Sequence, residues 1–109
     1  MMKFPMSRVG ADLLRQVLAR AGTKDDTVRL VSYRACDWRS MTFDGERHDL
    51  MLRVMGSEVA AISEALTVGI EDHEFAIRGQ IVADIGAVVS HRDPSGAVDI
   101  RVEALTIAA

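Results

Sequence analysis

Over the C-terminal third of the chain, apolar and polar residues alternate with a period of two. From Phe75 the odd positions read Phe75, Ile77, Gly79, Ile81, Ala83, Ile85, Ala87 and Val89. The even positions read Glu74, Ala76, Arg78, Gln80, Val82, Asp84, Gly86, Val88 and Ser90. That period is the mark of a strand with one dry face and one wetter face. Asp93-Pro94-Ser95-Gly96 interrupts the run with a proline and a glycine placed as a turn uses them. Val98, Ile100, Val102 and Ala104 then alternate with Asp99, Arg101 and Glu103. The pattern predicts a long antiparallel hairpin over residues 73–107, with Ile77, Ile81 and Ile85 on its dry side. An unbroken strand over residues 73–91 would run about 60 Å at about 3.3 Å per residue, beyond the usual strand length. A bend is therefore expected at Gly79 or Gly86. Ile81→Asp is expected to rank among the most damaging single changes.

Nearer the N-terminus the period changes. Ser7 has the chemistry of an N-cap, and Val9, Leu13, Leu14, Val17, Leu18 and Ala21 follow at helical spacing until Gly22. This predicts an amphipathic helix over residues 7–21, followed by a polar connection, Thr23-Lys24-Asp25-Asp26. Residues 27–40 are rich in strand formers, but their alternation slips between Leu30 and Val31. Asp44-Gly45 is a hairpin signal. Burial favours a three-residue loop, Phe43-Asp44-Gly45, which sets Trp38 opposite Leu50, Cys36 opposite Leu52 and Arg39 opposite Asp49. Ser57 is the expected cap of a second helix that turns Val59, Ile62, Ala65 and Leu66 inward and ends near Gly69. The order is α-β-β-α-β-β. The fold expected is a single α+β domain over residues 1–109, with a curved antiparallel four-stranded sheet packed against two helices.

Composition adds bounds. The 109 residues, 49% hydrophobic and 27% charged, suit one ordinary globular core. No apolar run approaches the length of about 20 residues that a membrane helix requires. Met1-Met2-Lys3-Phe4-Pro5-Met6 lacks the apolar segment of a signal peptide. Cys36 is the single cysteine, which removes an internal disulfide and any multi-cysteine zinc site. A cytoplasmic setting is the resulting expectation. The net charge of −3 is uneven: residues 1–55 carry ten Lys/Arg against seven Asp/Glu, and residues 56–109 carry three against nine. Such asymmetry suits steering, head-to-tail association or simple internal pairing.

Candidate chemistry is sparse. Arg34, Asp37, Trp38, Arg39, Arg47, His48 and Asp49 gather in the first hairpin, where they are candidates for anion binding or acid–base work. The plainer reading is an exposed ribbon with cross-strand ion pairs, Arg39 with Asp49 among them. His48, His73 and His91 lack HxH or HxxxH spacing, and adjacent strand residues point to opposite faces, so no metal site is expected. Cys36 shares the phase of Trp38, Leu50 and Leu52, which makes it a small buried hydrophobe and not a nucleophile. No glycine-rich phosphate loop is present, and no cofactor is expected. Nucleic-acid binding is disfavoured by the pI near 5.5 and by basic residues interleaved with acids.

One feature of the second hairpin bears on function. A four-residue loop at residues 93–96 sets Val82 opposite Ile107 and Asp84 opposite Leu105 on the side away from the helices, with Val88 further along. Apolar residues on an outer sheet face mark an association surface, unless a bulge turns Leu105 and Ile107 into the core. The leading expectation is a non-enzymatic interaction or assembly domain, a homodimer joined through the long C-terminal hairpin at Val82, Val88, Leu105 and Ile107. The alternative is a small-molecule-binding domain or small enzyme built on the Arg39 and His48 region.

Overall fold

The computed structural model describes residues 5–22 and 27–109; the N-terminal Met1-Met2-Lys3-Phe4 and the connection Thr23-Lys24-Asp25-Asp26 lie outside them. Ser7 caps the first helix. Its hydroxyl oxygen accepts the Gly10 N–H at 3.0 Å, satisfying a donor that the helix start leaves open. Helix α1 runs Arg8–Ala21 and stops at Gly22, whose left-handed φ of +66° lets its N–H reach the Ala19 carbonyl. Strands β1 (Val28–Arg39) and β2 (Asp44–Val54) follow. Helix α2 (Val59–Thr67), a 3-10 turn (Ile70–Asp72), and strands β3 (Gln80–Arg92) and β4 (Val98–Ala108) complete the chain. The fold is α+β in the order α-β-β-α-β-β. The four antiparallel strands lie in the order β1-β2-β4-β3, so the second strand of each hairpin is central.

One face of the sheet is sealed by the helices. Leu50, Leu52, Val54, Ile100 and Val102 point into it and are fully buried with Leu13, Val17, Leu66 and Ile70. Each such side chain contributes about 1.5–3 kcal/mol against the entropy of ordering the chain. The helices are also tied to one another. From α1, Arg20 donates to the Ala65 and Val68 carbonyls at 3.0 and 2.7 Å, supplying the open end of α2, and to His73 Nδ1 at 2.9 Å. Since arginine only donates, His73 Nδ1 is the acceptor.

Several local expectations are corrected. Glu58, not Ser57, occupies the N-cap of α2, and its side chain makes no cap hydrogen bond. The first hairpin turns at Met41-Thr42, with the Ser40 N–H on the Phe43 carbonyl at 2.9 Å. Asp44-Gly45 is therefore strand, with Trp38 opposite Gly45 and Cys36 opposite Arg47. Tyr33 faces Leu50, Leu30 faces Leu52 and Arg34 faces Asp49, so the pairings of Trp38 with Leu50, Cys36 with Leu52 and Arg39 with Asp49 do not occur. Two features explain this. The register shifts between Leu30 and Ser32, a bulge at Val31 that lets both Leu30 and Tyr33 face the core. Gly45 is also spent on close strand approach, since a β-carbon there would collide with the Thr106 carbonyl oxygen.

The second hairpin is shorter than its alternation suggests. Gly79, at φ +74°, ends an irregular segment before β3 begins at Gln80. That segment still buries Ile77 and is held to α1 by the Gln16 amide, which bonds both the N–H and the carbonyl of Ala76. Register shifts at Ala83 and Ser90 follow. The expected four-residue loop does not form, since Arg92 faces Val98 and leaves residues 93–97 between the strands; the shift at Ser90 offsets the extra residue, so that Asp84 still faces Leu105. Beyond Ala83 the phase changes, so Ile81 faces Ile107 and Val82 faces Thr106. Ile81 is thus 56% exposed, while Ile85 is buried, and Ile81→Asp loses its place among the most damaging changes. Val82 packs against the core instead of joining the outer face.

Candidate functional site

The sheet face opposite the helices has no layer over it among the described residues. Directly opposed residues share a face, so the register defines its rows across β1, β2, β4 and β3. One row is Arg34, Asp49, Glu103 and Gly86; the next is Cys36, Arg47, Leu105 and Asp84; the third is Trp38, Gly45, Ile107 and Ile81. This last row is apolar across the whole sheet. Phe43, level with Ser40 beyond it, is half exposed, and the turn residue Met41 is fully exposed. Val88 lies further along, opposite Arg101, and is 60% exposed. Of the four expected interface residues, Val88, Leu105 and Ile107 occupy this face, and Val82 does not.

The rows above the apolar one form a groove of about 690 Å³, walled by Arg34, Arg47, Asp84, Val88 and Leu105. Gly86 lines it, and a β-carbon added there would meet nothing within 4 Å. Charge within the groove is unevenly used. Arg101 grips Asp49 with two hydrogen bonds, one of 3.1 Å from Nε, and lies 3.9 Å from Glu103. Those carboxylates hold the Arg101 guanidinium pKa above its ordinary value, the hydrogen bond to Asp49 being the largest cause. Arg53 pairs with Asp99 at 3.0 Å. Among the described residues neither Arg34 nor Arg47 has a carboxylate within 4.0 Å, and Asp84 has no cationic partner.

The expected binding set is divided by the sheet. Arg34, Arg47 and Asp49 share the groove, and Trp38 lies beside it. Asp37 and Arg39 fall on the helix side of β1 beyond the core, where Arg39 meets Asp44 at 3.5 Å in solvent. His48 is on the helix side too, with its ring sealed beneath α1. Cys36 is exposed in the groove row, contrary to its expected inward phase, because the shifted register turned that phase outward.

Around His48 the structure assembles a polar cluster that the sequence did not disclose. Tyr33 Oη lies 3.0 Å from Nδ1, and Thr106 Oγ1 lies 2.9 Å from Nε2. Glu46 Oε1 stands 4.0 Å from Nε2 and accepts the Ser7 hydroxyl at 3.0 Å. Burial lowers the His48 pKa, opposed by the Glu46 charge, and burial raises that of Tyr33. Serine, glutamate and histidine resemble a nucleophilic set, but Ser7 directs its proton to Glu46 and not to the imidazole. His48 and Thr106 are also closed to solvent, so the cluster joins α1 to β2 and β4 and offers no place for a substrate. The one signal in the sequence was the phase that His48 shares with Leu50 and Leu52 on β2; the place of Tyr33 beside it depends on the Val31 bulge.

The histidines do not converge: His48 is buried, His73 is bonded to Arg20, and His91 is exposed opposite Asp99 on the outer face. Among the described residues no group of three His, Cys, Asp or Glu side chains is placed to hold a metal ion. No helix among them is long and apolar enough to cross a membrane. Comparison of the chain with protein families, with curated proteins and with solved structures finds no match.

Proposed function

We propose that this chain is a non-enzymatic assembly module whose outer sheet face binds a second copy of itself, giving a homodimer. The observation that carries the reading is the apolar row Trp38, Gly45, Ile107 and Ile81, flanked by Leu105 and Phe43, on a face with no covering layer among the described residues. Uncovered apolar surface of this extent is characteristic of interaction sites. The face is also large enough. Four strands about 4.8 Å apart and about 11 residues long span roughly 19 by 36 Å, close to the roughly 800 Å² per partner of a standard interface. The separation of the His48 ring from Arg34 and Arg47 weighs against the enzyme alternative, since the imidazole on which that reading relies is closed to solvent on the other side of the sheet. A reducing, cytoplasmic setting belongs to the same proposal, because exposed Cys36 would persist there as a free thiol.

Sedimentation equilibrium tests it. The wild-type chain is expected to be dimeric at high micromolar concentration, and Ile81→Lys to be a folded monomer, since Ile81 is outside the core. A monomeric wild type, or an Ile81→Lys dimer of unchanged affinity, overturns the reading.

A further inference from the structure

We infer that the two copies pack sheet against sheet about a two-fold axis parallel to their strands, so that Arg34 and Arg47 of each lie over Asp84 and Glu103 of the other. This rests on the association proposed above and specifies its orientation and its ionic contacts. In a self-complementary contact between two faces the two-fold axis lies in the plane of contact. Two directions limit the choice. An axis across the strands sets β1 over β1 and β2 over β2; an axis along them sets β1 over β3 and β2 over β4.

Charge decides between them. On the outer face, β1 and β2 present Arg29, Arg34, Arg47 and Arg53 against Asp49 alone, while β4 and β3 present Asp84, Asp99 and Glu103 against Arg101 alone. Pairing within the chain consumes Arg53 with Asp99 and Arg101 with Asp49, Arg101 standing also 3.9 Å from Glu103. What remains is cationic on one half of the sheet and anionic on the other. An axis across the strands would set the cationic half of the sheet on itself, a like-charge juxtaposition that opposes the contact. The axis along the strands sets the cationic half over the anionic half twice.

The rows agree with this choice. Arg34 is level with Glu103 and Gly86, and Arg47 is level with Leu105 and Asp84. With the axis along the strands, both arginines descend toward the partner's Asp84 and the partner's Glu103. The gap at Gly86, which no neighbouring atom fills, leaves room for the Arg34 side chain. The same axis carries Trp38 onto the partner's Ile81, since these residues end one row. One operation thus buries the apolar row and brings Arg34 and Arg47 to the partner's Asp84 and the partner's Glu103, and the groove of about 690 Å³ is filled by the second copy's side chains.

The test is charge reversal read by sedimentation equilibrium, with circular dichroism to follow the fold. All four residues are exposed in the single chain, so their substitution leaves the core intact. Arg34→Glu with Arg47→Glu, and separately Asp84→Arg with Glu103→Arg, are each expected to raise the dimer Kd at least about tenfold. The chain carrying all four changes is expected to recover most of that loss. If either double variant fails to fold, the neutral pair R34Q and R47Q replaces it, with a smaller rise expected. Wild-type affinity in both double variants overturns the orientation, as does a fourfold variant as weak as its parents, and the association itself then stands. A monomeric wild type in the same runs removes the association and this inference with it.

Discussion

Replacing Ile85 with alanine, and separately Ile81, reads out the bulge at Ala83 as a difference in stability. These residues are four apart, and an unbroken strand would set both on the dry face. The register shift between Val82 and Asp84 leaves Ile85 buried at 6% exposure and Ile81 outward at 56%. Truncating a buried isoleucine costs the transfer of the lost carbons plus the cavity left behind, about 2–5 kcal/mol. Ile85 sits on an outer strand, where neighbours relax into the space, so about 3 kcal/mol is expected of it. Ile81 keeps over half of its surface in water and is expected to cost less than about 1 kcal/mol. With a urea m-value of about 1.5 kcal/mol/M, the midpoints should fall by about 2 M and by less than about 0.7 M. Because Ile81 belongs to the proposed dimer face, the titrations belong at dilutions where the midpoint no longer depends on protein concentration. Equal losses, or a larger loss for Ile81→Ala, would show that β3 runs unbroken and that the face assignment is wrong.

Gly10→Ala sets helix propensity against packing. Alanine gains about 1 kcal/mol in a helix interior, but the new carbon collides with the Tyr33 ring and hydroxyl. Overpacking of about 1–3 kcal/mol should therefore dominate. In a Tyr33→Ala background the same change should become stabilising, and a double-mutant cycle in urea would measure the reversal. His48, whose pKa burial lowers, binds fewer protons in the folded chain than in the unfolded one. Stability should thus fall as pH drops below about 6.5, level off beneath the lowered folded value, and show no such limb in His48→Gln. Unfolding midpoints taken from about pH 7.5 to about pH 5 would expose it, well above the acid range in which the Ser95 hydrogen bonds to Asp93 are lost. Arg20→Ala should cost about 1–3 kcal/mol by leaving the Ala65 and Val68 carbonyls without that donor. Hydrogen exchange should then quicken at the end of α2 more than in the sheet.

The sequence by itself determined the elements and their order. Ser7 and Gly22 bracket α1 because cap chemistry acts within a few residues, and the alternation of Val98, Ile100 and Val102 defines β4 because a strand has no other way to keep one face dry. Asp84 does fall opposite Leu105, but through a longer loop offset by the shift at Ser90. Only the tertiary structure decided which residues face which way around the bulges. The slip at Val31 was visible in the alternation, yet local pattern cannot say which strand absorbs an extra residue, and one residue reverses every side chain beyond it. That single-residue phase sent Cys36 and Ile81 outward and drew Val82 in, whereas His48 follows the unbroken alternation of Leu50 and Leu52 on β2. Asp44-Gly45 misled by the same route, because its glycine answers to the Thr106 carbonyl on β4, a neighbour 61 residues away that no local rule contains. Turn and cap energies belong to short stretches of chain; register belongs to the whole sheet, whose minimum is set by the face it must bury.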